Sequence, residues 1–362
     1  MAETKVNDAA ADLAIPIHSL VLVTGTSGFL GSHIADQLLL AGYRVRGTTR
    51  DLSRSSWVAK LFHERYGKDA FELRVVPEMA AEGAFDRVIE GCDAVVHVAA
   101  TTTYAADPNT VIRPTVNGLQ NVLSAASRTP SIRRFVLTSS STAARQPAPN
   151  KEFHVDSSSW NDAIIEKAWA PPPYEASRSR VVYGASKVEE EHALWTFVDQ
   201  HHPNFVVNAV LPNFNIGEIL SPSPPKSSSS GWVRGLYEGD KADTEYMRSF
   251  TPQYMVDVKD TARLHVAALM FEDVRGERLF AFAEPFNYKK LISCMSKVAP
   301  NGRHELPDGI EDAAEDVSTV ANGRSVELLR RLGRQGWTPM EQSVEENVGV
   351  ASGRSALQSQ RS

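Results

Sequence analysis

Apolar residues in this 362-residue chain recur in two rhythms, short β-branched runs and longer stretches with a three-to-four-residue repeat. Residues 20–23, LVLV, are short and β-branched enough for a buried parallel strand. Leu30, Ile34, Leu38 and Leu39 then recur at helical spacing, Gly42 stops that helix, and residues 43–49 predict a second strand. The alternation continues with a helix over 57–66, a strand over 71–76, a short helix over 85–90 and a fourth strand over 94–99. A helix over 110–127 leads to a fifth strand, 134–138, which ends in Ser139, Ser140 and Ser141. Such alternation predicts an α/β fold, a doubly wound parallel sheet with right-handed crossovers and ligand at the carboxyl ends of its strands.

The rhythm breaks over 143–180, where Pro147, Pro149, Pro171, Pro172, Pro173, Trp160 and Trp169 suggest a long ordered connection crossing the site. Helical spacing resumes over 181–200, and NFVVNAVL, residues 204–211, predicts a sixth strand closed by Pro212. Residues 221–231, SPSPPKSSSSG, have the lowest complexity in the chain and read as a mobile surface loop. Beyond them come a helix over 258–271, a strand over 278–282, and helices beginning near Tyr288, Ser325 and Met340. The expected division is a flexible arm (1–17), a nucleotide-binding Rossmann domain (18–212), a smaller and interleaved substrate-binding C-terminal lobe (213–350) and a frayed tail (351–362).

A formal charge of −6 gives no reason to expect nucleic acid or an anionic membrane as partner. With only Cys92 and Cys294 there is no disulfide framework, which suits a reducing compartment. No apolar run approaches the roughly twenty residues that span a bilayer. The first sixteen residues carry Glu3, Asp8 and Asp12 and no arginine, unlike a signal or transit peptide. A cytoplasmic protein is expected.

Between the first strand and its helix stand Gly25, Gly28 and Gly31, spaced three apart. Glycines there let a backbone approach a pyrophosphate, and the helix N-terminus offers unpaired N–H groups and partial positive charge. A P-loop is disfavoured, because Ser32 and His33 follow the last glycine instead of a lysine and a hydroxyl residue. A second signal is Tyr183 and Lys187, four apart and so on one helix face. A tyrosine hydroxyl, with an ordinary pKa of about 10, is a poor acid–base at neutral pH. A nearby lysine ammonium stabilises the phenolate, so the hydroxyl can give its proton to a developing alkoxide. Tyr237 and Lys241 repeat the spacing, but Gly239 and Asp240 break the helix that this geometry needs. A serine hydroxyl at the end of the fifth strand can hold a carbonyl oxygen, and alternation alone leaves Ser139, Ser140 and Ser141 all open.

The segments VTGTSGFLG, HVAAT, VLTSSS, YGASK and AVLPN, in that order, resemble an extended short-chain dehydrogenase/reductase. LTSS, SWND, YxASK, VNAVLPNFNIG and GRQGW are similar to the fungal carbonyl (aldehyde) reductases, and these to yeast methylglyoxal reductase and plant dihydroflavonol 4-reductase. The resemblance covers roughly residues 18 to 350. It implies that Tyr183 and Lys187 are catalytic, with Ser140 as the family serine. It also implies cofactor contacts from Gly25, Ser27, Gly28, Phe29, Leu30, Gly31 and Ala99, a ribose contact from Lys187, and Pro212 beside the nicotinamide.

At the end of the second strand, Thr48, Thr49 and Arg50 favour NADPH, since an arginine there accommodates a 2′-phosphate, although Asp51 follows directly. The expectation is an NADPH-dependent reductase of an aldehyde or ketone, with Tyr183 as proton donor. Phe153, Trp160, Phe214, Ile216 and Trp232 are the candidate contacts to the small-molecule carbonyl substrate. Two rivals share the scaffold. A sugar-nucleotide epimerase/dehydratase would carry an acid just after the serine, where Ser141, Thr142 and Ala143 stand. A catalytically silent NAD(P)-binding regulator would lack the tyrosine–lysine pair.

Overall fold

The first strand, β1 (Leu20–Val23), lies wholly buried inside a seven-stranded parallel sheet, two strands from its β3 edge. The computed structural model describes residues 13–222, 228–298, 306 and 313–349. After β1 come α1 (Phe29–Leu40), β2 (Arg44–Thr49), α2 (Leu52–Tyr66), β3 (Phe71–Val75), β4 (Ala94–His97), α3 (Pro108–Ser127) and β5 (Arg134–Thr138). The middle of the chain holds α4 (Ser141–Ala144), β6 (His154–Val155), α5 (Ala163–Ala168), α6 (Ser179–His201), β7 (Val206–Pro212) and β8 (Phe214–Ile216). The last third holds α7 (Ser229–Glu238), α8 (Lys241–Arg248), β9 (Gln253–Asp257), α9 (Val258–Met270), β10 (Arg278–Ala281) and β11 (Glu284–Phe286). It ends with α10 (Tyr288–Val298), β12 (Thr319–Val320), α11 (Gly323–Arg331) and α12 (Met340–Gly349).

The sheet order is β10-β7-β5-β4-β1-β2-β3, with every pairing parallel. From β1 the chain steps outward to β2 and β3, then returns to place β4 on the other side of β1. That reversal opens a crevice beyond the carboxyl ends of β1 and β4, where doubly wound sheets bind ligands.

Strand residues alternate between two apolar cores. Leu20, Leu22, Val95, Phe135, Leu137 and Val207 face one core, shared with residues of α3 and α6. Val21, Val23, Val45, Val96, Val136 and Val210 face the other, shared with α1, α2, α9 and α11. Burial on both faces explains why these strands read as continuous apolar runs. A second, three-stranded sheet of β11, β9 and β8 carries its own core of Phe214, Ile216, Met255 and Phe286, closed by residues of α7, α10 and α12.

Three expectations change. Residues 85–90 form successive turns instead of a helix, although Phe85 and Ile89 are buried as an apolar face requires. Gly83 and Gly91, both at positive φ, bracket a segment with room for little more than the Ile89–Phe85 bond. The expected loose arm is anchored in its described part, where Ile15 is fully buried and Leu13 bridges Phe271. The low-complexity stretch ends in helix, because Ser228 caps α7 by accepting from the Gly231 amide. Residues 223–227 of that stretch and the 351–362 tail lie outside the described residues.

On α9, His265 is fully buried, with Nδ1 2.8 Å from the Thr261 carbonyl and Nε2 2.8 Å from the Thr138 hydroxyl. Burial lowers its pKa to about 4. A folded value below the unfolded one means stability that is present above about pH 6.5 and lost as pH falls toward 4. Asp257, raised to about 6 by burial, works in the opposite sense, so the contribution is read by difference. Between pH 7 and 5, wild-type protein should lose about 2 kcal/mol more stability to urea unfolding than His265→Gln. Equal losses would show that His265 titrates in the fold as it does in the unfolded chain.

Candidate active site

At the end of β1 the Thr24 hydroxyl oxygen accepts from the Val98 and Ala99 amides, each at 2.9 Å, and lies 3.0 Å from His97 Nδ1. With two amides donating to it, the hydroxyl must give its own proton to Nδ1. Thr24 thereby ties together the carboxyl ends of β1 and β4. The turn that follows admits no side chains at its contact points. Gly25 has φ +69°, and a Cβ there would sit 3.1 Å from Ala99 Cα; a Cβ on Gly31 would sit 2.2 Å from the Gly25 carbonyl oxygen. Gly28 stands at the N-cap of α1 without a side-chain cap, and among the described residues no side chain accepts from the amides of Phe29 and Leu30. Ser27 lies in the same turn. The periodicity gave no sign of Gly47 on β2, where a Cβ would lie 2.5 Å from Thr26 Oγ1.

Arg50 is exposed at the end of β2 and has no carboxylate partner among the described residues. Asp51 does not pair with it. Its carboxylate caps α2 through the Ser53 amide at 2.8 Å and takes the Ser53 hydroxyl at 2.7 Å, and these bonds hold its pKa below the ordinary value.

Tyr183 and Lys187 lie one turn apart on α6. Lys187 is 4% exposed, and its Nζ donates to the Thr138 carbonyl at the end of β5 (3.1 Å) and to Glu190 Oε2 (2.7 Å). Burial works to lower the pKa of this ammonium; Glu190, then Tyr183 and Glu191, outweigh it and raise the value overall. The Tyr183 hydroxyl makes no hydrogen bond to any described protein group, while its ring lies 5.3 Å from that of Tyr104.

The three serines separate by their partners. Ser139 donates to Glu191 Oε2 at 2.7 Å inside the core. Ser140 caps the start of α4 and accepts from the Thr142 hydroxyl (3.0 Å) and amide (3.3 Å), which leaves its own proton to donate. Ser141, in the first turn of α4, is also buried.

Of the five candidate substrate contacts, Trp232 reaches this region, 6.0 Å from Tyr104, and Phe214 stacks on Trp232 at 6.4 Å. Ile216 is buried in the smaller core. Trp160 instead stacks on His192 and lies under the Arg278 guanidinium, beside a depression of about 550 Å³ at the amino end of β10. Phe153 sits under Arg145. Tyr104 carries no sequence signal, lying in a polar loop without periodicity; a backbone at φ +52° turns its ring onto Tyr183, and burial raises its pKa. The second tyrosine–lysine spacing has no shared helix, since α7 ends at Glu238 and α8 begins at Lys241, and Tyr237 is buried in the smaller core.

Residues 21–280 match the family model described as the NAD dependent epimerase/dehydratase family. The chain belongs to that family. Aldehyde reductase 2 of Sporidiobolus salmonicolor is 38% identical over 336 residues, covering 92% of this chain and 96% of the relative. Ketoreductase adrE of Penicillium roqueforti is 37% identical, covering 94% of this chain and 98% of the relative. The structure of Gre2 from Candida albicans in complex with NADPH matches with a TM-score of 0.78 at 24% identity, over 93% of this chain and 99% of that one. At that identity the match concerns the fold.

The close approach at the turn yields a test. Gly31→Ala should push α1 off Gly25 and cost about 1 to 3 kcal/mol in urea unfolding, the usual range for overpacking. An unchanged urea midpoint would mean that the turn yields freely.

Proposed function

We propose that this chain is an NADPH-dependent carbonyl reductase that converts an aldehyde or ketone to an alcohol. The observation that carries the reading is the state of two side chains on one turn of α6: a buried, carboxylate-held ammonium at Lys187, and at Tyr183 a hydroxyl with no partner among the described residues. The names of the aldehyde reductase and ketoreductase relatives agree with it.

The residues present fit the dinucleotide. Gly25, Gly28 and Gly31 let the turn close tightly onto the start of α1, whose uncapped amides can take a pyrophosphate, with Ser27, Phe29 and Leu30 in the same segment and Ala99 packed against Gly25. Arg50, without a carboxylate partner among the described residues because Asp51 caps α2, would meet the 2′-phosphate. Pro212 closes β7, within the sheet and next to Ala281. When bound, NADPH supplies the hydride.

The chain's own groups do the rest. Ser140, with one proton free, holds the substrate oxygen, and Tyr183 donates to the same oxygen and gives up its proton as negative charge develops. Lys187, kept protonated in a dry site, stabilises the phenolate left behind and binds the nicotinamide ribose. Tyr104 and Trp232 cover the substrate side and exclude water. Cys92 and Cys294 are free and buried, in keeping with a reducing compartment such as the cytoplasm. No helix among the described residues is long and apolar enough to cross a membrane.

Tyr183→Phe keeps the ring and removes the donor. NADPH affinity, measured by fluorescence, should stay within about twofold, while kcat should fall at least about a hundredfold. Near-wild-type turnover of a confirmed substrate would remove Tyr183 from the mechanism. For the cofactor, Arg50→Ala should weaken NADPH by roughly 10- to 150-fold and leave NADH little changed, the range of a charge-assisted contact. Equal affinities before and after would shift the role to another cation, Arg54 being next along the chain.

A further inference from the structure

Glu190 stands three residues beyond Lys187 on α6 and is fully buried. One carboxylate oxygen accepts from Lys187 Nζ at 2.7 Å. The other, Oε1, has no hydrogen-bond partner and lies 3.9 Å from His97 Nε2, which has none either. Thr24 gives its proton to His97 Nδ1, so the neutral imidazole carries its hydrogen on Nε2, on the side of Glu190. Burial, reinforced by Lys187, lowers the His97 pKa to about 3, which keeps the ring neutral at working pH. A line of groups therefore runs from the turn at Thr24 through His97 and Glu190 to Lys187, hydrogen-bonded at both ends and with a 3.9 Å gap between His97 and Glu190. The other charged or titratable groups facing the pair are Tyr183 and Glu191 of the same helix. Glu191 is already taken by Ser139 and Arg278.

A buried ion pair is seldom a gain in stability over apolar side chains of the same volume. A carboxylate serving α6 only as packing would be better replaced by an alanine or a leucine. We propose that Glu190 is a positioning residue: it fixes the Lys187 ammonium in place, keeps it protonated, and links it through His97 to the turn proposed to hold the dinucleotide. Resting on the reductase reading, this adds a residue that touches neither substrate nor cofactor and acts through Lys187.

The test is a titration of Lys187 in protein without cofactor, by competitive acetylation with acetic anhydride from pH 7 to 11. Peptide mass spectrometry reads the Lys187 signal against exposed Lys60. Glu190→Gln keeps the shape and an acceptor oxygen but removes the charge. Its Lys187 reactivity midpoint should fall by at least about one pH unit relative to wild type. Glu190→Asp, which restores the charge one methylene short, should recover most of that shift. The high-pH limb of 4-nitrobenzaldehyde reduction by NADPH should move down with the Lys187 midpoint. A Glu190→Gln protein of reduced stability whose Lys187 midpoint is unmoved would make Glu190 merely structural and overturn the proposal. Should Glu190→Gln not fold, the wild type decides. A Lys187 midpoint above the ordinary lysine value of about 10.4 supports the carboxylate's hold, and one at or below that value contradicts it. Failure here leaves the reductase reading standing, because Tyr183→Phe tests that separately.

Discussion

Everything proposed for this site depends on one buried cation. Lys187 would be costly to keep charged in a water-poor interior unless its donors were matched. Two of them are, by a main-chain carbonyl at the end of β5 and by a carboxylate on its own helix. The carbonyl belongs to Thr138, whose side chain is held by His265 from the opposite layer of helices. The cation is thus positioned from both sides of the sheet, and α6 cannot rotate without breaking the Lys187 bond to β5 and the buried pair of Glu191 with Arg278 of β10. Its neighbour Tyr183 is left as a polar group with no hydrogen-bond partner among the described residues, its ring against that of Tyr104.

The other half of the site depends on the absence of side chains. At Gly25, Gly31 and Gly47 the backbone or a short side chain occupies the space a Cβ would need. Of these, Gly25 lies directly against Ala99 of the loop after β4, whose amides donate to Thr24.

Much of this was legible in the residues, for physical reasons that also mark where legibility stops. Strands buried on both faces are short β-branched runs, so β1, β4, β5 and β7 were plain, as were the glycine turn and the pairing of Tyr183 with Lys187. The choice among Ser139, Ser140 and Ser141 was not, because it depends on which hydroxyl a distant carboxylate consumes; Glu191 takes Ser139. Three successive glutamates, Glu189 to Glu191, look like a solvated face, yet two are fully buried because each meets a cation from its own helix or another strand. Tyr104 lies in a loop without periodicity, and only the fold turns its ring onto Tyr183. Trp160 and Phe153 show the converse. An aromatic residue in an irregular connection is as readily an anchor for an arginine as a substrate contact.

The central claim is that this crevice brings a nicotinamide and a carbonyl carbon together, with protein groups handling the oxygen and its proton. It is tested most directly by following the hydride. NADPH carrying deuterium on one face of nicotinamide C4, and separately on the other, would be incubated with protein and 4-nitrobenzaldehyde, and the alcohol analysed by mass spectrometry. The account predicts one deuterium on the carbinol carbon from one of the two labelled cofactors and none from the other. Failure of any labelled or unlabelled alcohol to form across a panel of aldehydes and ketones, with NADPH bound, would contradict it.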